Sequence, residues 1–294
     1  MRNDQTTRPM SKSPLRIART ARRIAERALP RYSSKYSPQR FTQAQLFACL
    51  VLRQFFRTVV ALLEDFPELR RALKLKCLPH YSTLCYAQHR LMRSARIRAL
   101  PRELLRAVPA SQRATALADA TGLETRPVSR YYVERQGKRS GRHRFPKLSL
   151  VAEAESPLIA GAHISLGPSQ DSPPLRPALK EAASHRRFDR LLADAAYDAE
   201  HNPVLARQTL GIRSTVIPIN RCNHGRKWPK TRYRRQMRKR FFKRVYRQRA
   251  QVESVIARHK RLLGATLRAR TWRRQKQECL VRILTHNLMI LRTA

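Results

Sequence analysis

The chain of 294 residues carries 63 lysines and arginines against 19 acidic residues, which gives a formal net charge of +44. A charge of this size excludes small acidic metabolites as the principal partner, because only a long polyanion such as nucleic acid uses so many cations. No membrane partner is expected, because the longest apolar runs are far too short to span a bilayer. The five scattered cysteines indicate a reducing compartment rather than a disulfide framework.

Arginines are frequent in the first forty residues, and no long apolar period accompanies them. We therefore expect residues 1–40 to form a basic arm that is partly helical and partly flexible. From Phe41 onward, apolar residues recur at steps of three and four, which indicates several short helices over residues 41–110. The last of these helices is rich in polar and basic side chains, namely Gln88, His89, Arg90 and Arg93. This segment predicts a small DNA-binding domain of helix-turn-helix type, with a packing or dimerisation subdomain as the alternative.

From Ala114 the apolar period changes to two, which predicts strands. The predicted elements are, in order, strands at Ala114–Asp119, Val128–Glu134, Leu148–Glu155 and Leu158–Ser165, a helix at Pro177–Phe188, a strand at Leu191–Asp194, a helix at Pro203–Leu210, a strand at Thr215–Ile219 and a long final helix around Glu253. This order predicts an α/β domain over residues 111–294, with the mixed sheet and flanking helices of a ribonuclease H-like fold. A Rossmann domain is not supported, because no glycine-rich phosphate turn follows any strand.

Residues 220–245 form a basic interval between the last predicted strand and the final helix. The interval contains twelve lysines and arginines and little apolar alternation, so it is too short and too polar for a separate β domain. We expect a short basic insertion that follows the phosphates of a nucleic acid. The side chains expected to be solvated and to bind DNA are Arg234, Arg235, Arg238 and Lys239.

Two aspartates end predicted strands of the sheet, Asp119 and Asp194. Adjacent strands lie roughly 5 Å apart, so the two carboxylates could share a metal ion. Hard oxygen ligands favour magnesium, and two such ions can promote in-line displacement at phosphorus. The alternatives are structural: Asp119 could form a turn before Gly122, and Asp194 could cap the segment after its strand. Asp198 competes with Asp194 for any functional role.

Glu253 is the only acidic residue between His201 and Gln277, where there are 24 lysines and arginines. A helix packed on the sheet could bring Glu253 to the two aspartates as a third metal ligand. Tyr246, Arg249, Glu253 and Lys260 are spaced by three, four and seven residues, which places all four on one face of a helix. This face suits a phosphate and a metal ion; a salt-bridged helix in solvent is the alternative.

Two cysteines and two histidines lie within thirteen residues, at Cys77, His80, Cys85 and His89. Their gaps are close to those of zinc ligands. However, the pattern crosses a predicted turn, and Cys85 suits a core position equally well, so we favour a structural interpretation.

The chain resembles bacterial insertion-sequence transposases of the DDE type. Residues 119–122, Asp-Ala-Thr-Gly, resemble the first catalytic aspartate motif of that family, and residues 193–198 resemble the second, with Ala196 where glycine is more frequent. The specific motif is the third, because the tyrosine–arginine–glutamate–lysine signature is matched with every spacing intact by Tyr246, Arg249, Glu253 and Lys260. The resemblance covers roughly Phe41 to the C-terminus.

The resemblance implies a metal-dependent enzyme that cuts insertion-element ends and joins them to target DNA. Asp119, Asp194 and Glu253 would then be catalytic and would bind two Mg²⁺ ions, for which Mn²⁺ could substitute. The DNA end would be positioned by Tyr246, Arg249 and Lys260. The expected partner is double-stranded DNA, both element ends and target, bound by a homodimer in the cytoplasm at the bacterial nucleoid. The alternatives are a ribonuclease H-like DNA nuclease without strand joining and a catalytically inactive DNA-binding protein derived from a transposase.

Overall fold

The computed structural model describes residues 10–56, 59–93, 95–109, 114–125, 144–220 and 228–291. The chain divides into two compact units. We call Arg8–Pro109 together with Arg273–Ala294 the helical unit, and Ala110–Trp272 the sheet unit.

The described helices are numbered along the chain. They are α1 (Pro14–Ala28), α2 (Gln43–Phe56), α3 (Val60–Asp65), α4 (Pro67–Ala72), α5 (Tyr81–Arg93), α6 (Ala99–Arg106), α7 (Ser172–His185), α8 (His201–Val204), α9 (Arg232–Lys239), α10 (Lys243–Tyr246), α11 (Ala250–Leu263) and α12 (Trp272–Ile290). Short 3₁₀ turns occur at Ala95–Arg98, Ala195–Tyr197 and Arg247–Arg249, and a π-helical turn at Leu205–Thr209 follows α8.

The described strands all belong to the sheet unit. They are β1 (Thr115–Gly122), β2 (Glu124–Thr125), β3 (Phe145–Glu153), β4 (Ile159–Gly167), β5 (Arg190–Ala193), β6 (Ser214–Val216) and β7 (Thr266–Leu267). Five of them form one sheet in the order β4-β3-β1-β5-β6, while β2 and β7 form a separate pair. β3 pairs antiparallel with both β1 and β4, whereas β5 pairs parallel with both β1 and β6. The predicted mixed sheet flanked by helices is therefore confirmed.

Part of the expected N-terminal arm is a regular helix. Pro14 occupies the first turn of α1, and the Ser13 hydroxyl accepts a hydrogen bond from the Arg16 N–H at 3.3 Å, which caps the helix. Ile17, Ala21 and Ile24 form a buried stripe on α1, which packs against α2. The helical part of the expected arm is therefore found in α1, whose buried stripe gives it an apolar face to pack.

The last helix also differs from expectation. The sequence places α12 in the 111–294 domain, but from Arg273 onward it belongs to the helical unit. Most of α12 from Gln277 onward is buried, including an ion pair in which Arg282 Nη2 lies 2.7 Å from Glu278 Oε1. A helix that is buried on most sides must pack against several neighbouring segments. One of them is the segment before α1, where the Ser11 N–H donates a hydrogen bond to the Met289 carbonyl at 2.6 Å.

Two helices cover parts of the sheet. Helix α7 packs closely on β4, where Gly161 leaves room for it: a Cβ at this position would lie 2.3 Å from the Ala178 carbonyl oxygen. Helix α11 contacts β1. Among the described residues, no helix is long and apolar enough to cross a membrane.

Most predicted elements of the sheet unit are found with shifted ends. β1 does not end at Asp119 but continues to Gly122, because its backbone stays paired with β3 as far as Gly122 opposite Lys147. The predicted helix at Pro177 begins earlier, at Ser172, and the one at Pro203–Leu210 is observed as α8 with its π-helical turn. The predicted strand Val128–Glu134 lies outside the described residues.

Candidate active site

Asp119 and Asp194 occupy neighbouring positions on adjacent strands. β1 and β5 are parallel, and the last paired residues in their register are Ala118 and Ala193. Asp119 follows Ala118 within β1, and Asp194 is the first residue after β5. The structure therefore brings the two predicted aspartates together. Each carboxylate also accepts a local hydrogen bond, at 2.8 Å from the Ala120 N–H to Asp119 and at 3.2 Å from the Ala196 N–H to Asp194.

Glu253 lies in the first turn of α11. Helix α11 contacts β1, the strand that carries Asp119. The backbone segments that follow the two elements are also hydrogen-bonded to each other. The Glu124 N–H, just after β1, donates to the Ala265 carbonyl, just after α11, at 3.0 Å, and β2 pairs with β7. The short second sheet thus fixes the position of α11 relative to the strand that carries Asp119.

All three acidic side chains meet the guanidinium of Arg249. Arg249 Nη1 lies 2.6 Å from Glu253 Oε1. Arg249 Nη2 lies 3.3 Å from Asp119 Oδ2 and 3.4 Å from Asp194 Oδ2. We call these four residues the acidic cluster. The members of the cluster differ in solvent exposure. The side chains of Arg249 and Asp119 are 15% and 16% exposed, whereas that of Glu253 is 59% exposed.

In this cluster, burial and the neighbouring charges both shift the pKa values of Asp119 and Arg249, and some of these effects act in opposite directions. Burial raises the pKa of Asp119, and the negative charges of Asp194 and Glu253 raise it further, although the Ala120 N–H and Arg249 act against them. Burial by itself lowers the pKa of Arg249, but the surrounding carboxylates outweigh it and the pKa lies above its ordinary value. The guanidinium is therefore firmly charged, and it supplies the positive charge that the partly buried carboxylates need.

Tyr197 is a neighbour of this cluster that the sequence suggests only as part of a motif. Its side chain is buried, and its hydroxyl has no hydrogen-bond partner among the described residues. Burial raises the pKa of Tyr197, and the nearby charges of Asp171, Asp119 and Asp194 raise it further. The sequence signal for Tyr197 is its place three residues after a strand-end aspartate, on a turn that the aspartate caps.

The residues of the tyrosine–arginine–glutamate–lysine pattern do not lie on one regular helix. Tyr246 ends α10, Arg249 lies in the 3₁₀ turn, and Glu253 and Lys260 belong to α11. The Arg249–Glu253 pair is nevertheless formed across four residues, as the spacing predicts. Burial raises the pKa of Tyr246, whose ring centroid lies 5.2 Å from that of Phe241. Lys260 is half-buried and makes no ion pair within the described part of the chain.

Arg234 is not the solvated side chain that the sequence predicts. Its Nε lies 2.8 Å from Asp198 Oδ1 and its Nη2 lies 2.9 Å from Asp198 Oδ2, and the Asp198 side chain is only 4% exposed. Asp198 also accepts from the Asn220 N–H at 2.9 Å. Asp198 is therefore committed to holding α9, which removes it as a competitor of Asp194. The carboxylate of Glu200 caps the same helix through the N–H groups of Tyr233 and Arg234.

Replacing Arg234 with alanine is expected to lower the free energy of unfolding by about 3 kcal/mol, because Asp198 would stay buried without its cation. Chemical denaturation followed by circular dichroism measures this change. Lys239→Ala is the matched control, since it removes an exposed cation from the same helix and should change stability by less than about 0.5 kcal/mol. Equal stability of the two variants would contradict the structural role of Arg234.

The other three predicted DNA-binding cations of this segment are exposed, as expected: Arg235, Arg238 and Lys239. Arg235 Nε donates to the Pro229 carbonyl at 3.0 Å. The guanidinium of Arg238 lies 5.8 Å from the ring centroid of Trp228, which is itself 60% exposed. Helix α9 and the residues before it therefore present positive charge and an aromatic ring to solvent.

The described residues contain no group of three or more His, Cys, Asp or Glu side chains that could hold a metal ion. The oxygen donors of Asp119, Asp194 and Glu253 suit a hard divalent cation. In the arrangement described, the guanidinium of Arg249 occupies the place where the three carboxylates converge.

The cysteine and histidine group likewise forms no metal cluster among the described residues. Cys77 Sγ lies 3.0 Å from Arg40 Nε, and His80 Nδ1 lies 2.8 Å from the Ser82 hydroxyl. These local contacts agree with the structural interpretation of the group.

A family model described as a transposase DDE domain matches residues 110–288, which is more than half of the chain. The match includes the acidic cluster of the sheet unit and extends into α12 of the helical unit. Neither the curated proteins nor the solved structures give a match.

Proposed function

This chain belongs to the family defined by the transposase DDE domain, and on that premise we propose that it cleaves the ends of an insertion element and joins them to target DNA. Proteins of this family act on DNA and generally use divalent metal ions. The observation that carries the proposal is the convergence of Asp119, Asp194 and Glu253 on Arg249. Three carboxylates from separate elements rarely meet in so basic a chain without a functional reason.

The three carboxylates are the catalytic residues of this proposal. Phosphoryl transfer depends on positioning and on charge near the reacting phosphate. Asp119 and Asp194 lie on rigid neighbouring strands, and Glu253 lies on a helix packed against one of them, so the scaffold can hold them in a fixed geometry. We assign them as the ligands of the divalent ions, two Mg²⁺ with Mn²⁺ able to substitute. In the proposed reaction, water attacks an element-end phosphodiester and its P–O3′ bond breaks, which frees the 3′-hydroxyl. This hydroxyl then attacks a phosphodiester of target DNA, and the 3′-oxygen of the target strand leaves.

The strand order supports a ribonuclease H-like core. The order β4-β3-β1-β5-β6 combines three antiparallel strands with two that run parallel to β1, and it is compatible with that fold. In this sheet the parallel pairing of β1 with β5 places Asp119, within β1, beside Asp194, the first residue after β5.

The DNA end is proposed to lie across the cations and aromatic groups next to the acidic cluster. Tyr246, Arg249 and Lys260 are the positioning residues of the signature. Exposed cations of α9 would follow the phosphates, and Trp228 offers a ring on which an unpaired base could stack.

Neutralising Arg235, Arg238 and Lys239 together, each to glutamine, is expected to weaken duplex binding and to reduce the salt dependence of binding by up to about three phosphate contacts. Because these side chains are exposed, the fold should survive, unlike in a variant that includes Arg234. Fluorescence anisotropy at several salt concentrations measures both quantities.

The control for this triple variant removes three other exposed cations of the sheet unit, Arg176, Lys180 and Arg187, and leaves α9 unchanged. The control should lose less affinity for the same loss of charge. Identical losses would mean that α9 holds no specific DNA contact.

The helical unit is proposed to bind the same DNA. It contains a cleft of about 740 Å³ that is lined by many basic side chains. Four of these cations form no ion pair among the described residues: Arg31, Arg40, Lys74 and Lys76. The exposed side of α5 adds Tyr86, Arg90 and Arg93, which suits contact with a nucleic acid. A packing or dimerisation role for this unit remains the alternative, and we expect a homodimer on DNA.

Incubation of the purified protein with a plasmid that carries the DNA flanking its gene tests the proposed function. With Mg²⁺ present, we expect cuts at inverted repeats and, when a second plasmid is added, joined products. Cuts without joined products would support the nuclease alternative, which no feature of the chain favours. Binding without any cut would support the catalytically inactive alternative.

A further inference from the structure

Among the described residues, Arg249 is the only cation that forms ion pairs with the three carboxylates of the acidic cluster. Its two terminal nitrogens contact all three carboxylates, at 2.6, 3.3 and 3.4 Å. Three negative charges thus share one positive charge. This arrangement binds each carboxylate while leaving a net negative charge, which still attracts a second cation.

The contacts of Arg249 leave part of its guanidinium group without a hydrogen-bond partner among the described residues. Arg249 lies in the 3₁₀ turn that joins α10 to α11, and this turn contacts β5. The carboxylates hold the far end of a long side chain, and its buried Nε has no hydrogen-bond partner among the described residues. A phosphate group could satisfy the guanidinium better than this arrangement, because a guanidinium forms paired hydrogen bonds with phosphate oxygens.

A divalent ion and Arg249 compete for the same oxygens. An ion such as Mg²⁺ binds carboxylate oxygens at about 2.1 Å, closer than any of the arginine contacts. Its charge would then lie within a few ångströms of the guanidinium, and like charges repel strongly at such distances in a partly buried site. The three carboxylates therefore cannot serve both cations in their present positions.

We propose that Arg249 is a built-in counter-ion that holds the acidic cluster in the DNA-free protein, and that a DNA phosphate draws it away so that divalent ions bind. This role rests on the proposed function and deepens it, since it makes ion binding depend on the presence of the DNA end. It is a positioning role, because Arg249 acts through the carboxylates. The arrangement would keep the free protein from cutting DNA before an element end is engaged.

Titration of the full-length protein with Mn²⁺ alone tests this role, because electron paramagnetic resonance reports free Mn²⁺ without requiring activity. In the absence of DNA, Arg249→Ala should bind Mn²⁺ at least about tenfold more tightly than the unmodified protein. Addition of duplex DNA should tighten Mn²⁺ binding by the unmodified protein and have little effect on the variant. Equal Mn²⁺ affinity of the two DNA-free proteins would overturn the proposal.

Two controls make this result specific. Arg247→Ala removes an exposed cation from the same turn, and its Mn²⁺ affinity should equal that of the unmodified protein. An equal gain with Arg247→Ala would show that only net charge matters and would overturn the proposal. Arg249→Gln keeps most of the side-chain length without its charge, so it replaces the alanine variant if circular dichroism shows that the latter does not fold.

A further variant separates this proposal from the proposed function. Adding Asp194→Asn to Arg249→Ala should abolish the tight Mn²⁺ binding. If Mn²⁺ binding is insensitive to Asp194→Asn, the ion is bound elsewhere, and the acidic cluster fails as the catalytic centre together with the role of Arg249. If Mn²⁺ binding depends on Asp194 but not on Arg249, only the counter-ion role is refuted.

Discussion

Glu253→Gln is expected to reduce DNA cleavage by at least about a hundredfold while duplex binding stays unchanged. The amide keeps the size of the side chain but removes the negative charge that we assign to the reacting centre. Stability should be barely affected, because the Glu253–Arg249 pair is largely exposed on the glutamate side and such pairs contribute little. Cleavage of a plasmid with inverted repeats and anisotropy with a labelled duplex measure the two activities separately.

Glu68→Gln is the matched control for this variant. Glu68 is an exposed acid of α4 in the helical unit, and its contact with Arg71 is long, at 3.6 Å. The same chemical change at Glu68 should leave cleavage intact. A fully active Glu253→Gln protein would remove Glu253 from the catalytic residues, whatever the control shows.

Raising the salt concentration from 50 to 200 mM is expected to weaken duplex binding by about 10³–10⁵-fold, provided that six to ten phosphates are contacted. The net charge of +44 makes a large contact number reasonable. The physical reason is that each phosphate neutralised by a lysine or arginine releases counterions, and this release is favoured less as salt increases. Anisotropy titrations across a salt series give the slope.

A duplex of unrelated sequence and equal length is the control for the salt series. It should bind more weakly but show persistent, steeply salt-dependent binding, because phosphate contacts are independent of sequence. A flat response with both duplexes would mean that the charge of this chain serves another partner.

Local sequence patterns are sufficient to predict much of the sheet unit. Alternation of apolar residues places the strands that carry Asp119 and Asp194, since a strand with one buried face repeats every two residues. Arg249 precedes the isolated Glu253 by four residues, a spacing that allows the two side chains to pair, and they do so where the 3₁₀ turn meets α11. These features depend on residues close in sequence, which is why the sequence reveals them.

Contacts between distant segments are decided only by the tertiary structure. Arg234 and Asp198 are 36 residues apart, and nothing in the local pattern shows that this one arginine of a basic run is withdrawn into an ion pair. The assignment of α12 to the helical unit also depends on contacts between distant segments. The apolar pattern of a helix that is buried on most sides does not show which elements enclose it.

The acidic cluster depends both on local sequence patterns and on contacts between distant segments. The amino-acid sequence is sufficient to select the three carboxylates and to show that Arg249 accompanies one of them. That the same guanidinium reaches all three follows from the fold, because it requires the register of β1 with β5 and the packing of α11 on β1. Which charged side chains pair depends on where the folded backbone brings them together. A run of lysines and arginines in the sequence does not show which acidic residues they contact.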